Sequence, residues 1–282
     1  MTPAQFVLPV LLLASGRVLA GSVAPDPAGY NLFQPVPAGQ LRDLDTDRPD
    51  KTNSPHTLDA GHYQLEAGLF TYTRTTASGV RTENASWADT TLRVGLIPWA
   101  ELQVELPVYQ SNRVTDLAAH ATQRGSGAGD LSAILKGNLW GNDSGATAGG
   151  VELWVKAPTA NHNLGNGKVE GGMVFLLDLK LPCDFDLGIN NGVGLSVNAN
   201  GVYHANIVNS LSLSHAIAGP LSGYVEFYSL VPTQTRSDWV GTVDVGLLLL
   251  LGRNCQLDSG ISMGVTPGAI DWQPFLGASY RF

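Results

Sequence analysis

The chain lacks any long hydrophobic run. The apolar stretches Val7–Leu13 and Leu247–Leu251 are both far short of the ~20 residues a helix needs to span a bilayer. Any crossing of a membrane must therefore be made by strands. Charge is also scarce: 14% of residues are charged, against about 25% in an average globular protein. A mean hydropathy of +0.04 excludes a helical membrane protein. The net charge of -8 and the want of a basic cluster exclude a nucleic-acid partner. There are two cysteines, Cys183 and Cys255, too few for a disulfide framework. Histidines 56, 62, 120, 162, 204 and 215 are scattered, without metal-ligand spacing. No metal, cofactor or catalytic residue is expected.

What the chain has is alternation. The final segment, Trp272 to Phe282, puts Trp272, Pro274, Leu276, Ala278, Tyr280 and Phe282 on one face. Gln273, Gly277, Ser279 and Arg281 take the other, with Phe275 out of pattern. That period of two marks a strand with one oily side. The same pattern recurs from His62 onward. Its clearest instance sets Leu102, Val104 and Leu106 against Glu101, Gln103 and Glu105. Counting gives twelve strands, an even number that returns both chain ends to one side. Connections after even-numbered strands are short (Pro98, Asn142 to Gly145, Pro182-Cys183, Gly219-Pro220, Gly252-Arg253). Those after odd-numbered strands are longer, beginning with Thr75 to Ser86 and Ser111 to Ser126. Short turns on one side and long loops on the other belong to an outer-membrane barrel, not to a soluble sandwich. The expected fold is an all-β, 12-stranded antiparallel up-and-down transmembrane barrel. Tyr63, Trp99, Trp239, Trp272 and Tyr280 lie near strand ends, where aromatic girdles form.

Three regions follow. Residues 1–20 read as a signal peptide, with Val7–Leu13 as the apolar run and Val18-Leu19-Ala20 as the cleavage site. Residues 21–61 are proline-rich and aperiodic, an extended segment that either lies in the periplasm or plugs the lumen. Residues 62–282 form the barrel in a Gram-negative outer membrane. Cys183 and Cys255 fall in turns four strands apart, roughly 20 Å around the wall, too far for a disulfide. Both thiols are expected free.

The segment Thr46-Asp47-Arg48-Pro49-Asp50, with Ser54-Pro55, Gly61, Gln64 to Gly68 and Tyr72, resembles the opening of a bacterial outer-membrane transporter family assigned to the meta pathway of phenol degradation. The stretches Trp99 to Tyr109, Gly127 to Leu131, Val155 to Thr159, Asn254 to Val265 and Gly277 to Phe282 extend the likeness over nearly the whole mature chain. Lys51 and Asn53 depart from the family pattern, where an aromatic and an acid are expected. The resemblance implies an outer-membrane channel passing small solutes, with aromatic or hydrophobic compounds as the class.

Charges facing lipid are costly at the bilayer midplane, about 2–4 kcal/mol for Arg or Lys. The strand phase therefore points Glu66, Arg74, Asp89, Arg93, Glu101, Glu105, Lys136, Glu152, Lys156, Asp178, Lys180, Glu226, Asp244 and Arg281 into the lumen. They either line a selective conduit or form ion pairs that fill a narrow barrel. Asp47, Arg48 and Asp50 form the N-terminal motif. Arg48 is expected to pair with an inward acid such as Glu66 or Glu101. Two other readings stand beside the channel: a barrel enzyme acting on lipid, and a plugged structural barrel. Gly260-Ile261-Ser262-Met263-Gly264 matches a hydrolase elbow, but it falls within a strand and not at a strand-to-helix turn. Expected partners are outer-membrane lipid, a small-molecule solute, and the barrel-assembly machinery through the terminal strand ending at Phe282.

Overall fold

A computed structural model describes residues 29–282 except 162–163, 199 and 235–236. The signal-peptide reading, residues 1–20, lies outside the described residues. Thirteen strand segments form one sheet. They are β1 (Tyr63–Ala77), β2 (Val80–Ile97), β3 (Ala100–Asp116), β4 (Ala121–Gly127), β5 (Leu131–Trp140), β6 (Thr147–Ala157) and β7 (Glu170–Leu181). The circuit continues with β8 (Phe185–Val197), β9 (Tyr203–Ala218), β10 (Leu221–Pro232), β11 (Val240–Leu251), β12 (Cys255–Gly264) and β13 (Trp272–Arg281). Neighbours pair antiparallel around the ring, and β1 pairing with β13 closes it.

β4 and β5 share one position in the wall, so the barrel is 12-stranded. β4 pairs with Gln110–Asp116 of β3, and β5 pairs with Ala100–Glu105. The break falls at Pro107, which has no N–H to give the ladder. Its carbonyl accepts instead from Gly129 N–H at 2.9 Å. A Cβ on Gly129 would sit 2.8 Å from the Pro107 ring, so only glycine closes the wall there.

The wall is polar inside and oily outside. Arg93, Lys136, Gln64, Gln103, Glu66, Glu101, Glu226 and Asp244 are among the most deeply buried side chains. Leu135, Leu153, Phe175 and Leu276 are among the exposed ones. That inversion is stable only with hydrocarbon around the barrel. A closed antiparallel barrel so patterned belongs to the Gram-negative outer membrane, and places the chain there. No helix among the described residues is long and apolar enough to cross a membrane. Cys183 and Cys255 are free.

The short turns appear where the sequence puts them, but two expected loops do not. Thr75–Ser86 and Ser111–Ser126 are mostly paired strand. β1 and β2 stay in register up to the pair Ala77 and Val80. This part of the wall rises past the apolar band, where neither face need be oily. Alternation is therefore lost while pairing continues.

The pattern also shifts phase. β1 has a bulge between Gly68 and Phe70 relative to β13. On β2, Ala88 has φ 56°, and Ser86 and Asp89 hydrogen-bond each other on one face three residues apart. An extra residue at each place reverses which parity faces the lumen. Beyond the bulge Thr73 turns inward and receives a hydrogen bond from Gln273. Phe70, Trp87 and Tyr109 turn outward as a ladder, with ring centroids 5.8 and 5.6 Å apart. Tyr72 stacks on Trp272 at 5.2 Å. These rings form an aromatic girdle on the long-loop side.

Candidate functional site

The lumen is occupied by the chain's own N-terminal segment. Residues 45–59 cross it with almost no regular structure, held by side chains of the wall. The two prolines there, Pro49 and Pro55, cannot donate to a ladder, and the segment meets its partners through carbonyls, other N–H groups and side chains. Pro55 is fully buried, with its carbonyl accepting from Asn138 at 3.0 Å.

The contacts sort by charge. On one side of the barrel Arg93 and Lys136 meet Asp47. Lys136 Nζ donates to Asp47 Oδ1 and Gln103 donates to Oδ2 at 2.7 Å, with Arg93 3.5 Å away. On the other side Asp258 receives Arg48 through two hydrogen bonds of 3.2 and 2.8 Å. Lys51 Nζ donates to Asp244 and lies 5.5 Å over the Tyr228 ring. Backbone donors are met as well. Glu66 accepts the N–H groups of Asp47 and Arg48 at 3.2 and 3.1 Å. Glu226 accepts Lys51 N–H at 2.9 Å, and Glu101 accepts Leu58 N–H. The segment's cations thus meet wall acids and its Asp47 meets wall cations, in a lumen that carries both signs.

Several placements follow from close backbone approach. The Arg48 guanidinium lies over Gly277, where a Cβ would come within 2.2 Å of it, and beside Gly68, where a Cβ would be 3.2 Å away. Gly68 and Gly277 are register partners, so the two glycines form one flat seat. At the short-turn end a Cβ on Gly95 would meet the Asp59 carbonyl at 2.1 Å.

Burial raises the Asp47 carboxyl, but Arg93 and Lys136 outweigh it and hold the group below its ordinary range. Asp50 is different: burial pushes it up to about 7, although Ser212 donates to it at 2.6 Å.

Among the described residues, two cavities lie against the segment, one toward each end of the barrel. One, of about 490 Å³, opens at the short-turn end between residues 41–45, 56–59 and 141–148, with Arg93, Asp178, Lys180 and Arg281 on its walls. The other, of about 310 Å³, lies toward the long loops and is bounded by Asp47–Asp50, Glu66, Asp89, Gln103 and Glu105.

Of the residues picked from sequence, Glu66, Arg93, Glu101, Lys136, Glu152, Glu226 and Asp244 touch the segment. Asp89, Glu105, Asp178, Lys180 and Arg281 line the cavities. Lys156 sits at the loop end and bridges Asp130 and Glu170 at 3.0 and 2.9 Å. Arg74 is a correction. It pairs in register with Trp272 on the outer face, because the bulge after Gly68 reverses the phase of β1. Arg48 also chooses Asp258, not Glu66 or Glu101, since those two carboxylates already serve Arg93 and backbone N–H groups. Lys51 and Asn53 hold wall acids: Lys51 pairs with Asp244, and Asn53 donates to Glu152 at 2.9 Å. Sequence reasoning left Asp258, Ser212 and Gly277 out of the site. Asp258 shares the inward phase of Gln256 and Ser262, a signal that marks it as luminal but names no partner.

Fold and filled lumen together define an outer-membrane β-barrel threaded by its own residues 45–59. The chain belongs to the family described as "Putative MetA-pathway of phenol degradation", whose profile matches residues 46–282. Among solved structures it is similar to the COG4313 outer membrane channel from Pseudomonas putida F1, at 14% identity and a TM-score of 0.57, covering 78% of this chain and 95% of that one. The anion-selective porin from Comamonas acidovorans aligns at 7% identity with a TM-score of 0.38, over 78% of this chain and 98% of the porin. No match was found among curated proteins.

Proposed function

We propose that this protein is an outer-membrane channel for passive passage of small solutes, and that residues 45–59 gate it. The observation that carries the reading is the pair of cavities separated by a segment bound through polar contacts. A structural filler is more simply made from apolar packing; ion pairs and hydrogen bonds can be exchanged for water and solute. The inward charges of the wall then act twice, as partners of the docked segment and as the lining of the path when it moves. The family description makes aromatic compounds the first solutes to test, and the mixed charge of the lumen favours ones carrying a hydroxyl or carboxylate.

The chain is read as a channel and not an enzyme. Ser262, in the G-x-S-x-G stretch, is 2% exposed within β12 and accepts a hydrogen bond from Lys51 at 3.3 Å. That serine has no strand-to-helix elbow beside it. The number of buried ion pairs supports one other reading, a permanently plugged structural barrel.

The test is a reversible lock. Thr52 Oγ1 and Ser210 Oγ are 2.8 Å apart. Thr52→Cys with Ser210→Cys, in a chain whose Cys183 and Cys255 are changed to Ser, joins segment to wall. Gating predicts solute flux in liposome swelling when reduced and loss of flux when oxidised. Flux unchanged by the lock refutes the gate. Absence of flux in the reduced protein, for aromatic acids and sugars alike, refutes the channel in favour of the plugged barrel.

A further inference from the structure

Above the aromatic girdle the barrel carries a cationic face that the lumen does not use. Arg74 of β1 pairs in register with Glu83 of β2, Glu83 with Arg113 of β3, and Arg113 with Arg124 of β4. The four side chains make one row across four strands. The row faces outward, since Arg74 is the register partner of Trp272 and Tyr72, on the same face of β1, stacks on that ring and donates to Glu83 at 2.8 Å. Arg81, the partner of Thr115, stands on this face two residues farther up β2.

The row is not balanced internally. Arg74 lies 3.5 Å from Asp271, whose carboxylate also accepts from Thr76. Glu83 is 3.8 Å from Arg113. Among the described residues no carboxylate lies within ion-pair distance of Arg81 or Arg124. Arg113 and Arg124 are directly opposed across the strands, and like charges so placed destabilise a sheet. An anion between them removes that repulsion. A chain of net charge -8 thus gathers four arginines on one outer face, just above the ring level where lipid headgroups begin.

We infer that this face binds the phosphate groups of an outer-leaflet glycolipid. Arginine is the suited residue, because its planar fork takes two phosphate oxygens at once. The rings of Phe70, Trp87, Tyr109 and Trp272 beneath it offer an amphipathic shelf for the sugar and the start of the acyl chains. The lumen plays no part in this site, so it stands or falls apart from the channel reading.

The test is native mass spectrometry of the full chain in detergent, titrated with a diphosphorylated lipid A and with its dephosphorylated form. The wild type should bind the diphosphorylated lipid saturably and prefer it. The variant Arg81→Gln, Arg113→Gln, Arg124→Gln should lose at least about tenfold in affinity. Lys168→Gln, on a loop away from the row, should bind as the wild type does. Heat-shifted gel mobility reports whether the triple variant folds; if it does not, Arg124→Gln alone should show a loss of about threefold. Equal binding by wild type and folded variant overturns the inference. Equal binding of the dephosphorylated lipid overturns it too. Displacement by millimolar inorganic phosphate makes the site one for soluble anions, and also overturns it.

Discussion

Arg48 and Asp258 stand 210 residues apart and meet through two hydrogen bonds, with the guanidinium lying over Gly277. Asp258 is buried and Arg48 partly so. Removing one member of a buried pair leaves the other charge unmatched, at about 3–5 kcal/mol. Docking of the segment is therefore expected to depend on this pair more than on any of its single hydrogen bonds. Asp258→Asn should raise single-channel open probability in planar bilayers, and Arg48→Ala, Asp258→Asn together should do no more than Arg48→Ala alone. Additive effects would show that the two residues act independently.

Gly277 tests the same seat from below. An added Cβ would lie 2.2 Å from one guanidinium nitrogen and 2.5 Å from the carbon. All the atoms it meets belong to the guanidinium at the end of the Arg48 side chain, so Arg48 leaves the seat while the wall keeps its place. Gly277→Ala should therefore mimic Arg48→Ala in open probability while gel mobility and strand content stay unchanged. Wild-type gating in a folded Gly277→Ala protein would mean that Arg48 has another place to sit.

The outer wall was legible from the sequence wherever lipid touches it. Leu102 and Leu135 are outward, and Glu101 and Lys136 inward, as their alternation requires. Hydrocarbon enforces that code residue by residue. Where the wall rises past the apolar band nothing enforces it, so the strands through Thr75–Ser86 and Ser111–Ser126 read as loops. A one-residue bulge leaves no mark in composition either, which is why alternation alone puts Arg74 on the wrong face. The docked segment was hardest. Its charges and prolines suggest a lumen, but an extended chain has no period to fix its depth. The choice of Asp258 over Glu66 depends on where the bulk of the segment comes to rest.

Leu135 gives a direct check on the wall. It is 47% exposed on β5, between the inward Ile134 and Lys136. Leu135→Arg places a charge against hydrocarbon and should destabilise the inserted barrel by about 2–4 kcal/mol if near midplane, less toward either interface. The measurement is urea-driven unfolding from lipid vesicles. Ser132→Arg, of opposite phase on the same strand, should cost clearly less. Equal costs would contradict the assignment of faces.

Asp50 supplies the pH dependence. Docked in the lumen, its carboxyl is pushed up to about 7, chiefly by burial, with Asp47 adding to the rise and Ser212 and Lys51 opposing it. Released into water it returns to about 3.9. The docked form thus holds more protons between those values. By linkage, docking loses stability as pH rises from about 4 through 7, and nothing further is lost above that. Open probability should climb between pH 5 and pH 8. Asp50→Asn keeps an oxygen to accept from Ser212 but cannot ionise. It should hold the channel near its low-pH state across the range. If Asp50→Asn retains the full climb, the titrating group lies elsewhere in the lumen and Asp50 is only a contact.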